Sequence, residues 1–227
     1  ISGLPPFSYP VIEGGSTQIR NLFVGAAGRM GTLSVENGGQ LDVTGFQFEI
    51  AGDAAMLTVT GPGSILTAEN AELLLGDYRI PGSSGSLQVL DGGQATLKRL
   101  YTDDDASRVL VSGQGPIQTL NEVPLAGTSG NNEVMTVSDG GAVIVHGSAD
   151  VGGATEITGI GSRLLVDSEN GKQGLLTITS FDNAASRSVV RVVDGGAIFV
   201  STQDHAGTSD PSIPIAATPG VDTAELL

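Results

Sequence analysis

The sequence predicts an all-β chain wound as a parallel β-helix, and three observations lead there. The first is repetition. The stretch Gly25-Ala-Ala-Gly-Arg-Met-Gly-Thr-Leu-Ser-Val-Glu-Asn-Gly-Gly39 returns as Gly127-Thr-Ser-Gly-Asn-Asn-Glu-Val-Met-Thr-Val-Ser-Asp-Gly-Gly141, with Leu33, Val35, Gly38 and Gly39 falling on Met135, Val137, Gly140 and Gly141. The second is a period. The glycine doublets end at Gly39, Gly93, Gly141 and Gly196, spaced 54, 48 and 55 residues apart, so about four imperfect units near 50 residues follow one another. The third is alternation: Leu33 and Val35 point one way while Thr32, Ser34 and Glu36 point the other.

Along the chain, residues 1–21 are rich in proline and glycine and read as an N-terminal cap or degenerate half-repeat, with Val11-Ile-Glu-Gly-Gly15 its clearest trace. Residues 22–201 form the repeat array. After the Asn37-Gly-Gly39 turn, Leu41 and Val43 resume the apolar side, and the same rhythm recurs in Leu57-Thr-Val-Thr60, Leu87-Gln-Val89, Met135-Thr-Val137, Val143-Ile-Val145 and Leu176-Thr-Ile-Thr179. Between doublets stands a second landmark, Gly61-Pro-Gly-Ser64, Gly113-Gln-Gly-Pro116 and Gly159-Ile-Gly-Ser162, so each unit has two halves. Asn37, Asp91, Asp139 and Asp194 precede the doublets as turn residues. Helical spacing is not sustained, and glycine this frequent costs a helix about 1 kcal/mol at each occurrence. Residues 202–227 read as an irregular segment leading into a further truncated repeat, because Thr223-Ala-Glu-Leu-Leu227 resembles Asn70-Ala-Glu-Leu-Leu74.

Short strands with tight corners in tandem stack either as a coiled solenoid or as a β-propeller, the alternative here. Kelch blades also have a period near fifty and a glycine doublet, but wedge a Tyr and a Trp between blades. This chain has no Trp, and Tyr9, Tyr78 and Tyr101 hold no repeated position, which favours the solenoid.

The order Leu22-Phe-Val-Gly25, Gly31-Thr-Leu-Ser-Val-Glu-Asn-Gly-Gly-Gln-Leu41, Leu57-Thr-Val-Thr-Gly-Pro-Gly-Ser64 and Leu73-Leu-Leu-Gly76 resembles the repeat of bacterial autotransporter passenger domains. The resemblance covers most of residues 22–200 and weakens where Gln114-Gly-Pro116 replaces the terminal serine and Thr179 stands at an expected glycine. It implies a right-handed β-helix with hairpin-like corners, exported to the cell surface. It also implies a role in attachment, autoaggregation or biofilm formation, through self-association or contact with a host receptor or a glycan.

Composition limits the other classes. A formal net charge of −15 repels phosphate backbones and anionic membranes, so no nucleic-acid partner is expected. Cysteine is absent, which removes disulfides, thiolate metal sites and cysteine nucleophiles. No apolar run is long enough to insert in a bilayer.

No residue stands out as catalytic, cofactor-binding or metal-ligating. His146 follows the strand Val143-Ile-Val145 and reads as a corner residue; His205, beside Asp204, reads as part of a polar loop, with no G-x-S-x-G elbow to supply a nucleophile. Asp103-Asp-Asp105 with Ser107 has alternate oxygens but lacks the calcium-loop glycine and glutamate, Arg108 and Gln114 standing there, so it reads as a solvated turn. A polysaccharide-degrading β-helix, the alternative function, needs paired carboxylates and exposed aromatics, whereas Phe23, Phe46, Phe48 and Phe199 are expected to pack inside. The expectation is a non-enzymatic surface rod, its contacts in the segments that depart from the repeat: Asp77 to Ser84, Leu100 to Arg108, Thr119 to Val123 and Thr202 to Pro214.

Overall fold

Short runs in which every second residue is aliphatic fold as strands that bury one side, and the computed structural model carries that pattern through lap after lap. The structure describes residues 10–26, 29–77, 79, 82–102, 106–125, 133–151, 153–167, 174–178, 189–200, 213–216 and 224–226. Among these, every regular element is a strand.

The strands stack on three faces. The first holds eight parallel strands: Val11–Glu13, Thr32–Glu36, Ala55–Thr60, Gly85–Leu90, Arg108–Ser112, Glu133–Ser138, Ala154–Thr158 and Val189–Val193. The second runs from Ser16–Ile19 and Gln40–Val43 through to Arg163–Asp167 and Ala197–Val200. The third begins at Leu22–Val24 and Gln47–Ile50 and reaches Ser148–Val151 and Leu175–Ile178. Ile65–Leu75 and Gln94–Thr102 each serve both the second and third faces, bending where a bulge shifts their register. The chain is therefore a parallel β-solenoid, with the right-handed sense that parallel crossovers adopt.

One sequence unit is two laps. Ser34 pairs with Thr58 and Thr58 with Gln88, so two steps up the column carry the chain from the first doublet to the second. Lap length varies widely: Thr136 pairs with Glu156, twenty residues on, whereas Glu156 pairs with Arg191, thirty-five residues on.

In-register stacking turns the alternation into ladders. Val35, Val59, Val89, Val111, Val137, Ile157 and Val192 lie one above another on the first face, all buried. Each such side chain contributes about 1.5–3 kcal/mol, and β-branched residues suit the pleated surface. Leu176 and Ile178 are only partly buried and pack at the margin of this core.

The doublet corners have two separate requirements. Asn37 and Gly38 have φ of 52° and 78°, and the Gly39 amide donates to the Glu36 carbonyl, which is a type I′ turn. The second glycine is needed for space: a Cβ on Gly39 would meet the Ile12 carbonyl, and one on Gly93 the Val59 carbonyl, of the lap below. These turns are not hairpins, since the flanking strands pair with neighbouring laps rather than with each other.

The Gly-x-Gly-Ser landmark is the same corner on the next lap. Ser64 is fully buried and its Oγ accepts the Gly38 amide at 3.1 Å; Ser162 does the same for Gly140 at 3.0 Å. At Gly113 the corner is one residue shorter than the sequence alignment implies: Pro116 starts the strand, and Gly115 occupies the serine's place.

The last lap closes differently from the rest. Ile213–Ala216 pairs antiparallel with Ala197–Val200, and Ala224–Leu226 antiparallel with Val189–Val193. The likeness of 224–226 to 71–73 thus does not carry over to position, since Glu72 and Leu73 pair parallel on the third face.

Candidate functional site

On the third face the outward positions are occupied by residues that a solvated strand does not require. Phe23 pairs with Glu49, Glu49 with Leu74, and Leu74 with Tyr101, so four outward side chains climb the column in one row. At about 4.8 Å per lap the row spans roughly 14 Å. Phe46, in the corner just before Gln47–Ile50, adds a ring beside it. Together they line a groove of 330 Å³ that also takes in Glu72. Phe23 is 55% exposed and Phe46 79%, so the expectation that both pack inside is wrong. Of the four phenylalanines expected inside, Phe48 is fully buried and Phe199 only half-buried.

The alternation itself gives the reason. Leu22 and Val24 face inward, which sends Phe23 out. Phe46 lies in the bend before its strand begins, where the period no longer holds.

The polar members of the groove are tied together. Glu72 lies 3.4 Å from the Lys98 ammonium and 3.5 Å from the Arg99 guanidinium. Arg99 in turn donates to the Tyr101 hydroxyl at 2.9 Å, which fixes the phenol ring on the outer surface. Burial raises the Glu49 carboxyl above the ordinary glutamate value, with the nearby Asp77 charge adding to it. Asp77 is itself buried and accepts three hydrogen bonds from Arg79, two from the guanidinium at 2.7 and 2.8 Å and one from its amide at 2.9 Å. Those side-chain bonds hold the Asp77 carboxyl below its usual range. Of these two carboxyls only Glu49 lines the groove; Asp77 is held by Arg79 outside its walls.

A larger hollow of 710 Å³ lies at the N-terminal end of the column between Ile12, Ile19, Leu22, Met30 and Leu33. Its walls are mostly apolar, Phe23 among them, and beyond Thr17 and Thr32 offer few groups to orient a ligand.

The sequence candidates fall variously. His146 ends the strand Ala142–His146, and its Nδ1 meets the Asp167 Oδ1 at 2.6 Å; the two are register partners, so the pair bridges adjacent laps. Asp103–Asp105, Asp204 and His205 lie outside the described residues. Thr119 to Val123 lies within the strand Pro116–Leu125. Leu100 to Arg108 contributes Tyr101 to the groove, and Asp77 to Ser84 contributes the carboxylate that acts on Glu49. Among the described residues no group of three or more His, Asp or Glu side chains is placed to hold a metal ion. No family model, curated protein or solved structure matches the chain.

Proposed function

We propose that the chain is a non-enzymatic attachment rod, exported and displayed outside a bacterial cell, that holds its target through the outward groove of the third face. The observation that carries this reading is the exposure of Phe23 and Phe46 beside Tyr101. Three aromatic rings on one outer strip contribute nothing to the inner ladders, and surface rings that gather in a cleft mark a binding surface. A column of parallel laps suits such display, because its stability comes from neighbour-to-neighbour stacking and leaves the outer positions open to change. The test is attachment of beads coated with the chain to cells or to one another. The Phe23→Ala, Phe46→Ala double variant should lose most of that attachment while keeping its circular dichroism spectrum. Undiminished attachment would remove the groove from the account.

A second reading, cleavage of a polysaccharide, draws on Glu49 and Glu72. Glu72 pairs with Gln47, two residues before Glu49, so the two acids are diagonal neighbours. Glycosidases work with a pair of carboxyl groups flanking the bond they cut. The raised Glu49 carboxyl suits a proton donor. Against this, Glu72 is already engaged by Lys98 and Arg99, an arrangement that favours holding a ligand over activating a water. Release of reducing ends from a polysaccharide, abolished in Glu49→Gln, would decide for cleavage.

A further inference from the structure

The groove on the third face has a composition narrower than attachment in general requires. Its volume of 330 Å³ lies at the small end of ligand sites. Its walls alternate aromatic faces, at Phe23, Phe46 and Tyr101, with hydrogen-bonding groups at Gln47, Glu49 and Glu72. A ligand that matches must offer both flat C–H surfaces and hydroxyl donors at short intervals along a line. The row of outward residues repeats once per lap, at about 4.8 Å, a spacing comparable with one pyranose ring.

We infer that this groove is a saccharide-binding site for a neutral oligosaccharide lying across the strands, along the column. The inference rests on the attachment reading and names its ligand class. Sugar rings stack on the aromatic faces, and their hydroxyls donate to the carboxylates of Glu49 and Glu72. Arg99 acts as a positioning residue, holding the Tyr101 hydroxyl at 2.9 Å and lying 3.5 Å from Glu72, so that ring and carboxylate keep a fixed relation. Charge selects among saccharides. The net charge of −15 over the chain disfavours uronate-rich and sulfated chains.

The experiment is calorimetric titration of the whole chain with cellohexaose, laminarihexaose and mannohexaose, each against oligogalacturonate as the anionic control. At least one neutral hexaose should bind, and oligogalacturonate should not. Phe46→Ala should weaken that binding several-fold to about tenfold, the scale of one aromatic contact. Ile160→Ala, which removes an equally exposed side chain at a distant corner, should leave it unchanged. Absence of binding to all three hexaoses at millimolar concentration would overturn the inference, as would equal losses in the two variants or preference for the anionic chain. If the Phe23→Ala, Phe46→Ala protein loses attachment while the unsubstituted chain binds none of the hexaoses, the ligand class falls and the attachment reading stands.

Discussion

Ser64 illustrates how a single hydroxyl can decide a corner. It is fully buried, and its Oγ is the acceptor for the Gly38 amide of the lap below. Ser64→Ala leaves that amide without its partner and should cost about 1–3 kcal/mol, read as a lower midpoint in urea with an unchanged slope. Ser162→Ala should behave alike, because Ser162 makes the same bond to Gly140. Glu49 gives a pH-dependent case. Its folded carboxyl is raised above the unfolded value, so the group favours folding at low pH, and that contribution is lost as pH rises through the folded value. Glu49→Gln should therefore raise the thermal midpoint at pH 7 and change little well below the ordinary glutamate range. Asp77 has the opposite sign: its folded carboxyl is depressed, so its contribution is present at pH 7 and fades as the solution becomes strongly acidic.

At the scale of the strand, the ladder is the unit of stability. Val137 stands between Val111 and Ile157 on the buried side, while Ser138 points away from the core. Val137→Asp places an unpaired charge among aliphatic groups and should cost about 4 kcal/mol or more, a fall of roughly 10 °C for a chain of this size. Ser138→Asp should move the midpoint by no more than a degree or two. The strand pattern was largely legible in the sequence because alternation is a local property: Leu33, Val35, Leu41, Val43, Leu57 and Val59 are all buried, as the period of two requires. The same rule, applied to Leu22 and Val24, already turns Phe23 outward. What it does not carry is phase through a bend. Phe46, the bulge after Leu97 and the shortened corner at Gly113 each break the count, and the first two do so beside the groove. Tyr101 and Glu72 meet only through register between laps whose lengths differ, which spacing along the chain does not encode. Nor does spacing reveal the bond between His146 and Asp167, residues that become neighbours only through register.

The whole molecule is a column whose rise is set by hydrogen bonding and not by chain length. Laps advance by anywhere from twenty to thirty-five residues, yet each adds one strand spacing. That regular rise is what sets outer side chains in rows, and it makes a groove along the column possible. The absence of cysteine allows spin labels to be placed at introduced cysteines alone. Ser34 is linked by successive pairings to Thr136 four laps away, to Glu156 five laps away and to Arg191 six laps away. Electron–electron distance measurement from a label at position 34 to labels at 136, 156 and 191 should give separations near 19, 24 and 29 Å, about 4.8 Å for each lap. Distances that follow sequence separation, or that bring position 191 as close to 34 as position 136 is, would contradict the stacked column.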